Sequence, residues 1–218
     1  MLRKTTELMD DFGLYVHYGA KVAGKLADNL VSAFSNAFTV DGNIRLTYYR
    51  EKGISSAKSG RYEQAIPLLE QVAQQHPDDG EISLYLGGSY VRTGAVEEGI
   101  SLLEKAVAAD PANLKAATVL GLAYVQAKKY ELAAPLLEEV AKSNPTNFNV
   151  RFRLGVALDN LGRFEAAIEW FKAALELRTE DVKTLRAIAY CYEQMDMHDE
   201  ALPYLKRVNE IDIAATAT

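Results

Sequence analysis

The sequence predicts an all-α solenoid of antiparallel helix pairs, and three observations carry that expectation. Prolines stand at Pro77, Pro111 and Pro145, each 34 residues after the last. Leu-Gly pairs keep the same spacing at Leu86-Gly87, Leu120-Gly121 and Leu154-Gly155. No segment reads as a strand. The register divides the chain into five full units, 46–79, 80–113, 114–147, 148–181 and 182–215, each expected to hold a helix A and a helix B.

One step back along the register lies residues 12–45, with Gly19 in the glycine column and an amphipathic run at Leu26, Leu30, Val31, Phe34 and Phe38. Its alanine and large-apolar columns are poor, so 12–45 is expected to be a degenerate unit or a cap on its own chain. In the full units helix A carries the Leu-Gly pair. Gly60, Gly94 and Gly162 fall at the turn into helix B, where a left-handed backbone suits glycine. Helix B brings small residues (Ala65, Gly99, Ala133, Ala167, Ala201) that permit close approach, and large ones (Leu69, Leu103, Leu137, Phe171, Leu205) expected to fill the space between neighbouring pairs. The closing proline ends helix B, because it lacks an N–H and disfavours helix in the residue before it. Pro67, Pro135 and Pro203 share a column expected in the first turn of helix B, where N–H groups have no intrahelical partner. The fifth unit departs from the pattern, with Thr179 at its entry and Asp196 at its turn. Small residues at Ala112–Ala116 suggest a hinge, giving three parts: 1–45, 46–113 and 114–218.

Composition removes several function classes. Half of the 218 residues are apolar (49%) and a quarter charged (25%), which is a globular balance. A net charge of -6 argues against nucleic acid as a partner. One cysteine, Cys191, cannot form an internal disulfide and is expected to be buried and inert. His17, His76 and His198 are scattered, and no metal site, cofactor or catalytic constellation emerges, so no enzyme is expected. Acidic residues interrupt the first eleven residues before any apolar core develops, and no stretch reaches the ~18 apolar residues of a membrane span. A cytoplasmic protein is therefore expected. Few residues follow the fifth unit, so no capping helix is expected after it, and an exposed last face would favour association.

These columns resemble the tetratricopeptide repeat (TPR), with its Leu-Gly pair, Tyr (Tyr90, Tyr124, Tyr192), Ala, large apolar residue and closing Pro. The usual Trp is replaced by Tyr49, Ser83, Ala117, Arg151 and Leu185. The resemblance implies a right-handed superhelix whose helices A line a concave groove. Its second, fifth, ninth, twelfth and thirteenth unit positions would face a partner. The cations there are Arg50, Lys58, Arg92, Lys115, Lys183 and Arg186, and the anions Glu81, Asp159 and Glu193, a basic excess in an acidic chain. Ile54, Leu122, Gln126, Asn149, Phe152, Asn160 and Tyr190 complete the expected groove. Chaperone-binding repeats hold a carboxylate with an asparagine at the ninth position. Ile54, Gly88, Leu122, Val156 and Tyr190 stand there instead, which excludes that clamp.

A narrower resemblance spans nearly the whole chain. Residues 14–19, 48–55, 116–122 and above all Asn147–Phe164 are similar to the magnetosome-associated TPR proteins of magnetotactic bacteria. That implies a non-enzymatic scaffold, homo-oligomeric and peripheral on the cytoplasmic side of the magnetosome membrane, organising other magnetosome proteins. The alternative is a monomeric cytoplasmic adaptor for an acidic, partly apolar peptide. Glu7, Leu8, Met9, Asp10, Asp11 and Phe12 are both acidic and apolar, and so suit a self-assembly arm that lies in a neighbour's groove.

Overall fold

The computed structural model describes residues 42–216, whose regular structure is helical throughout. The helices are α1 (Gly42–Lys58), α2 (Tyr62–Gln75), α3 (Gly80–Thr93), α4 (Val96–Ala109), α5 (Leu114–Gln126), α6 (Tyr130–Ser143), α7 (Phe148–Asn160), α8 (Phe164–Leu175), α9 (Val182–Gln194) and α10 (His198–Thr216). The chain divides into two units at Thr47 and Tyr48. Of the first, the described part is the opening of α1. The expected arm, Glu7–Phe12, and nearly all of the degenerate repeat lie outside the described residues.

Helices A begin where the register places them, at 80, 114, 148 and 182, because a capping side chain precedes each. Asp79 accepts hydrogen bonds from the Glu81 and Ile82 amides at 3.0 and 3.1 Å. Asn113, Asn147 and Asp181 cap α5, α7 and α9 in the same way. Arg45 stands in that column before the first unit, and α1 runs back past it to Gly42. Helices B have no side-chain cap at Arg61, Ala95, Lys129 or Arg163.

The turns from A to B hold a left-handed residue. Gly60, Gly94 and Gly162 have φ of 76°, 99° and 71°, but Lys128 and Asp196 occupy the same column at 59° and 58°. The three inner prolines lie deeper than expected. Pro67, Pro135 and Pro203 are each the sixth residue of their helix, past the first turn, and each removes one helical hydrogen bond.

The large residue of helix B packs inside its own repeat. A Cβ added at Gly53, Gly121 or Gly155 would come within 2.7, 2.5 and 2.5 Å of Leu69, Leu137 and Phe171, respectively. Each of those three side chains is completely buried. Gly99 replaces the usual alanine because α3 and α4 approach more closely there: a methyl group on it would meet the Gly87 carbonyl at 2.7 Å. From α2 to α10 each helix packs on the next, and α3–α5, α5–α7 and α7–α9 also meet. Among the described residues, no helix B packs on another helix B. Helices A are therefore the crowded row, which is the inner side of a curved stack.

Candidate groove of the second unit

The inner row presents a hollow of about 860 Å3 that joins residues from four repeats. Of the residues expected there, Lys58, Arg92, Lys115, Leu122, Gln126 and Asn149 line it. Tyr62, Tyr85 and Arg153, which sequence reasoning did not select, line it too, and no carboxylate does.

Tyr85 organises the cations. The Lys115 Nζ donates to its hydroxyl at 2.9 Å and sits 4.3 Å from the ring centre, while Lys58 Nζ lies 5.2 Å from the same ring. Burial pushes the Tyr85 phenol up, but hydrogen bonding and charge from Lys115 and Lys58 outweigh it, so its pKa falls below the usual value. Arg92 stacks 5.6 Å from the Tyr62 ring centre. Tyr85 belongs to the sixth position of its unit. Its partners come from helices A on either side, so the cluster exists only once three repeats are stacked.

Arg50 behaves differently. It ion-pairs with Asp79 and, at 2.5 Å, with Glu81. It lines a separate hollow of about 520 Å3 with Ile54, Lys58 and Glu81. The counted cation Arg50 and the counted anion Glu81 thus neutralise each other.

The remaining expected residues line neither hollow. Phe152 packs on the Phe148 and Phe171 rings, with centres 6.0 and 5.6 Å away, at the edge of the core. Asn160 donates to the Val156 carbonyl of its own helix at 2.8 Å. Arg186 pairs with Asp212 at 2.8 Å. Tyr190 is exposed. Asp159 accepts a 3.5 Å contact from the Cys191 thiol. Burial raises the Asp159 carboxyl pKa against that bond. Burial and Asp159 together push the Cys191 thiol up to about 12, which makes it a poor nucleophile at neutral pH. Among the described residues no group of three His, Cys, Asp or Glu side chains could hold a metal, and no helix is long and apolar enough to cross a membrane.

A stack of antiparallel helix pairs with a ligand-sized inner groove defines a tetratricopeptide-repeat protein of the protein-binding kind. Family models for the tetratricopeptide repeat match residues 56–123, 118–182 and 184–212. The chain is 60% identical to the solved structure MamA MSR-1 C2, covering 79% of this chain and 99% of that one with a TM-score of 0.76. A second solved structure, described as the crystal structure of MamA protein, is 25% identical with a TM-score of 0.70, over 77% of this chain and 92% of that one. Magnetosome protein MamA of Paramagnetospirillum magnetotacticum is 57% identical over 87 residues, and that of Magnetospirillum gryphiswaldense 58%. That match spans 40% of this chain and 40% of each of those relatives. The chain belongs to the MamA family of tetratricopeptide-repeat proteins. It is a non-enzymatic interaction scaffold.

Proposed function

We propose that the basic groove of the second unit holds an acidic, partly apolar protein segment. Through such contacts the chain builds a homo-oligomeric scaffold on the cytoplasmic face of the magnetosome membrane, where it organises other magnetosome proteins. The magnetosome enters through the name its relatives carry, Magnetosome protein MamA. The observation that carries the groove reading is the cluster Lys58, Arg92 and Lys115. These cations line one hollow, rest on tyrosine rings and have no carboxylate partner among the described residues. Cations left without intramolecular partners favour an anionic ligand, and Val119 and Leu122 beside them supply apolar anchoring. A concave wall suits a peptide or helix and keeps out a flat bilayer, so attachment to the membrane runs through protein partners.

The chain's own segment Glu7–Phe12 has the chemistry this groove selects. One molecule's residues 1–45 would dock in the next molecule's groove, which runs from the 46–113 part into the start of 114–218, while the later repeats stay free for other partners. Because the two surfaces differ, the contact propagates instead of closing as a dimer. The combined variant K58E/R92E/K115E tests this. A labelled peptide of residues 5–16 should bind the parent chain with salt-sensitive affinity and the variant at least about tenfold more weakly, a loss of about 1.4 kcal/mol. Light scattering should show smaller assemblies for the variant. Equal peptide binding by both chains would defeat the groove reading. A parent chain that binds the peptide yet stays monomeric would instead favour the single-peptide adaptor.

A further inference from the structure

We propose that α10 is a second, self-complementary interface, at which another copy of this chain docks antiparallel with the two helices crossing beside Leu202 and Pro203. The observation is a pair of apolar side chains, Leu202 and Leu205, each more exposed than any of its counterparts in the earlier repeats. Leu202 shares its column with Ile66, which is half-buried, and with Ile100, Ala134 and Ile168, all buried, yet is 46% exposed. Leu205 shares its column with Leu69, Leu103, Leu137 and Phe171, all completely buried, yet is 37% exposed. Two features of the fold produce this. Ala189 stands where the other helices A carry glycine, so its methyl group occupies the slot the large residue enters. No described helix follows α10 to cover its outer face. Ile213, 68% exposed, extends the same apolar stripe along α10.

The charges beside the stripe point to a second copy as the occupant. Asp199 lies one turn before Leu202 and Lys206 one turn after it, on the same face. Both are exposed, and neither has an ion pair within the described chain. Arg207, on another face, is already paired with Glu180 and Glu210. A two-fold axis near Leu202 places Asp199 of one copy against Lys206 of the other, twice, and Leu202 against itself. An unrelated partner would need that pattern by chance, whereas a two-fold contact supplies it automatically. Leu202 and Leu205 of each copy make a small surface, and Ile213 lies beyond the overlap of the two helices, so the contact is weak alone and gains strength within a larger assembly. It does not require the groove reading, since it uses a different face.

Disulfide trapping of the full chain tests the contact. Cys191 is buried, which leaves an introduced thiol as the reactive one. Under mild oxidation L202C should form a 202–202 linked dimer at least about tenfold faster than S101C, an exposed control on α4, because a docked pair raises the local thiol concentration. Adding D199K or K206D alone to L202C should slow trapping, and adding both should restore it. In the K58E/R92E/K115E background trapping should persist. The proposal is overturned if L202C links no faster than S101C, which is the result if another segment of the chain covers this face. It is also overturned if the double charge swap fails to restore linkage, if the bond maps elsewhere, or if trapping vanishes with the groove charges.

Discussion

At the scale of single residues, one column explains how neighbouring repeats are tied. The Tyr90 hydroxyl donates to Glu70, and the Tyr124 hydroxyl donates to Glu104 at 2.7 Å, each reaching back twenty residues to the preceding helix B. In the last repeat the acid becomes Lys172, which donates to the Tyr192 oxygen at 2.9 Å. Where Leu158 replaces the tyrosine, Glu138 turns to Lys142 at 2.8 Å. The hydrogen bond to Glu70 leads in raising Tyr90, and burial leads in raising Tyr124, each to about 12 from a usual value of 10.0. A raised phenol pKa means that the fold favours the protonated form. Its contribution is whole below pH 10 and fades as pH climbs to about 12. Alkaline unfolding followed by circular dichroism should therefore steepen across that window, and Y90F/Y124F should flatten it. A second residue-scale prediction concerns Lys128 and Asp196, held at φ 59° and 58°. A left-handed conformation costs a side-chain-bearing residue about 1–2 kcal/mol, partly offset by glycine's extra freedom in the unfolded chain. K128G and D196G should each raise stability by roughly 0.5–1 kcal/mol, seen as a higher Tm.

At the scale of the helix pair, stability depends on a glycine facing a large residue. Phe171 is rigid and fully buried, and a methyl group on Gly155 would meet its ring carbons at 2.5 and 2.6 Å. G155A should cost about 1–3 kcal/mol by overpacking, read from a denaturant midpoint. The Leu-Gly pairs announced these glycines, and the large column announced their partners. That the two touch within one repeat was not legible, because the sequence gives the columns but not the angle at which A and B cross. The caps were legible in principle: Asp79, Asn113, Asn147 and Asp181 repeat every 34 residues two places after the proline column.

At the scale of the whole molecule, one apolar cluster runs from Leu84 to Cys191, with a smaller one from Ala57 to Leu86. Coupling between repeats passes only through such neighbour contacts, so the middle of the array is held from both sides and α10 from one. Amide exchange should be slowest in α5–α7 and fastest over residues 209–216, at the open end of the array, where Arg186 pairs with Asp212. Uniform protection along α10 would contradict that gradient, unless the α10 contact between copies has formed. Dilution separates those two cases.

The sequence by itself determined the repeat, the starts of α3, α5, α7 and α9, the left-handed turns at Gly60, Gly94 and Gly162, and the kinship with the MamA family. Those follow from patterns that recur within 34 residues, where local geometry leaves few choices. Only the tertiary structure decided which charges remain available. Arg50 and Lys58 are both groove cations in the sequence, where Asp79 at the end of the same unit already suggests a bridge for Arg50. Stacking brings Asp79 and Glu81 to the first, across 29 and 31 residues, and the Tyr85 ring to the second. A carboxylate cancels a charge, whereas an aromatic face holds a cation in place without neutralising it. The groove's field is thus set by contacts between repeats, which no periodicity within a repeat can encode.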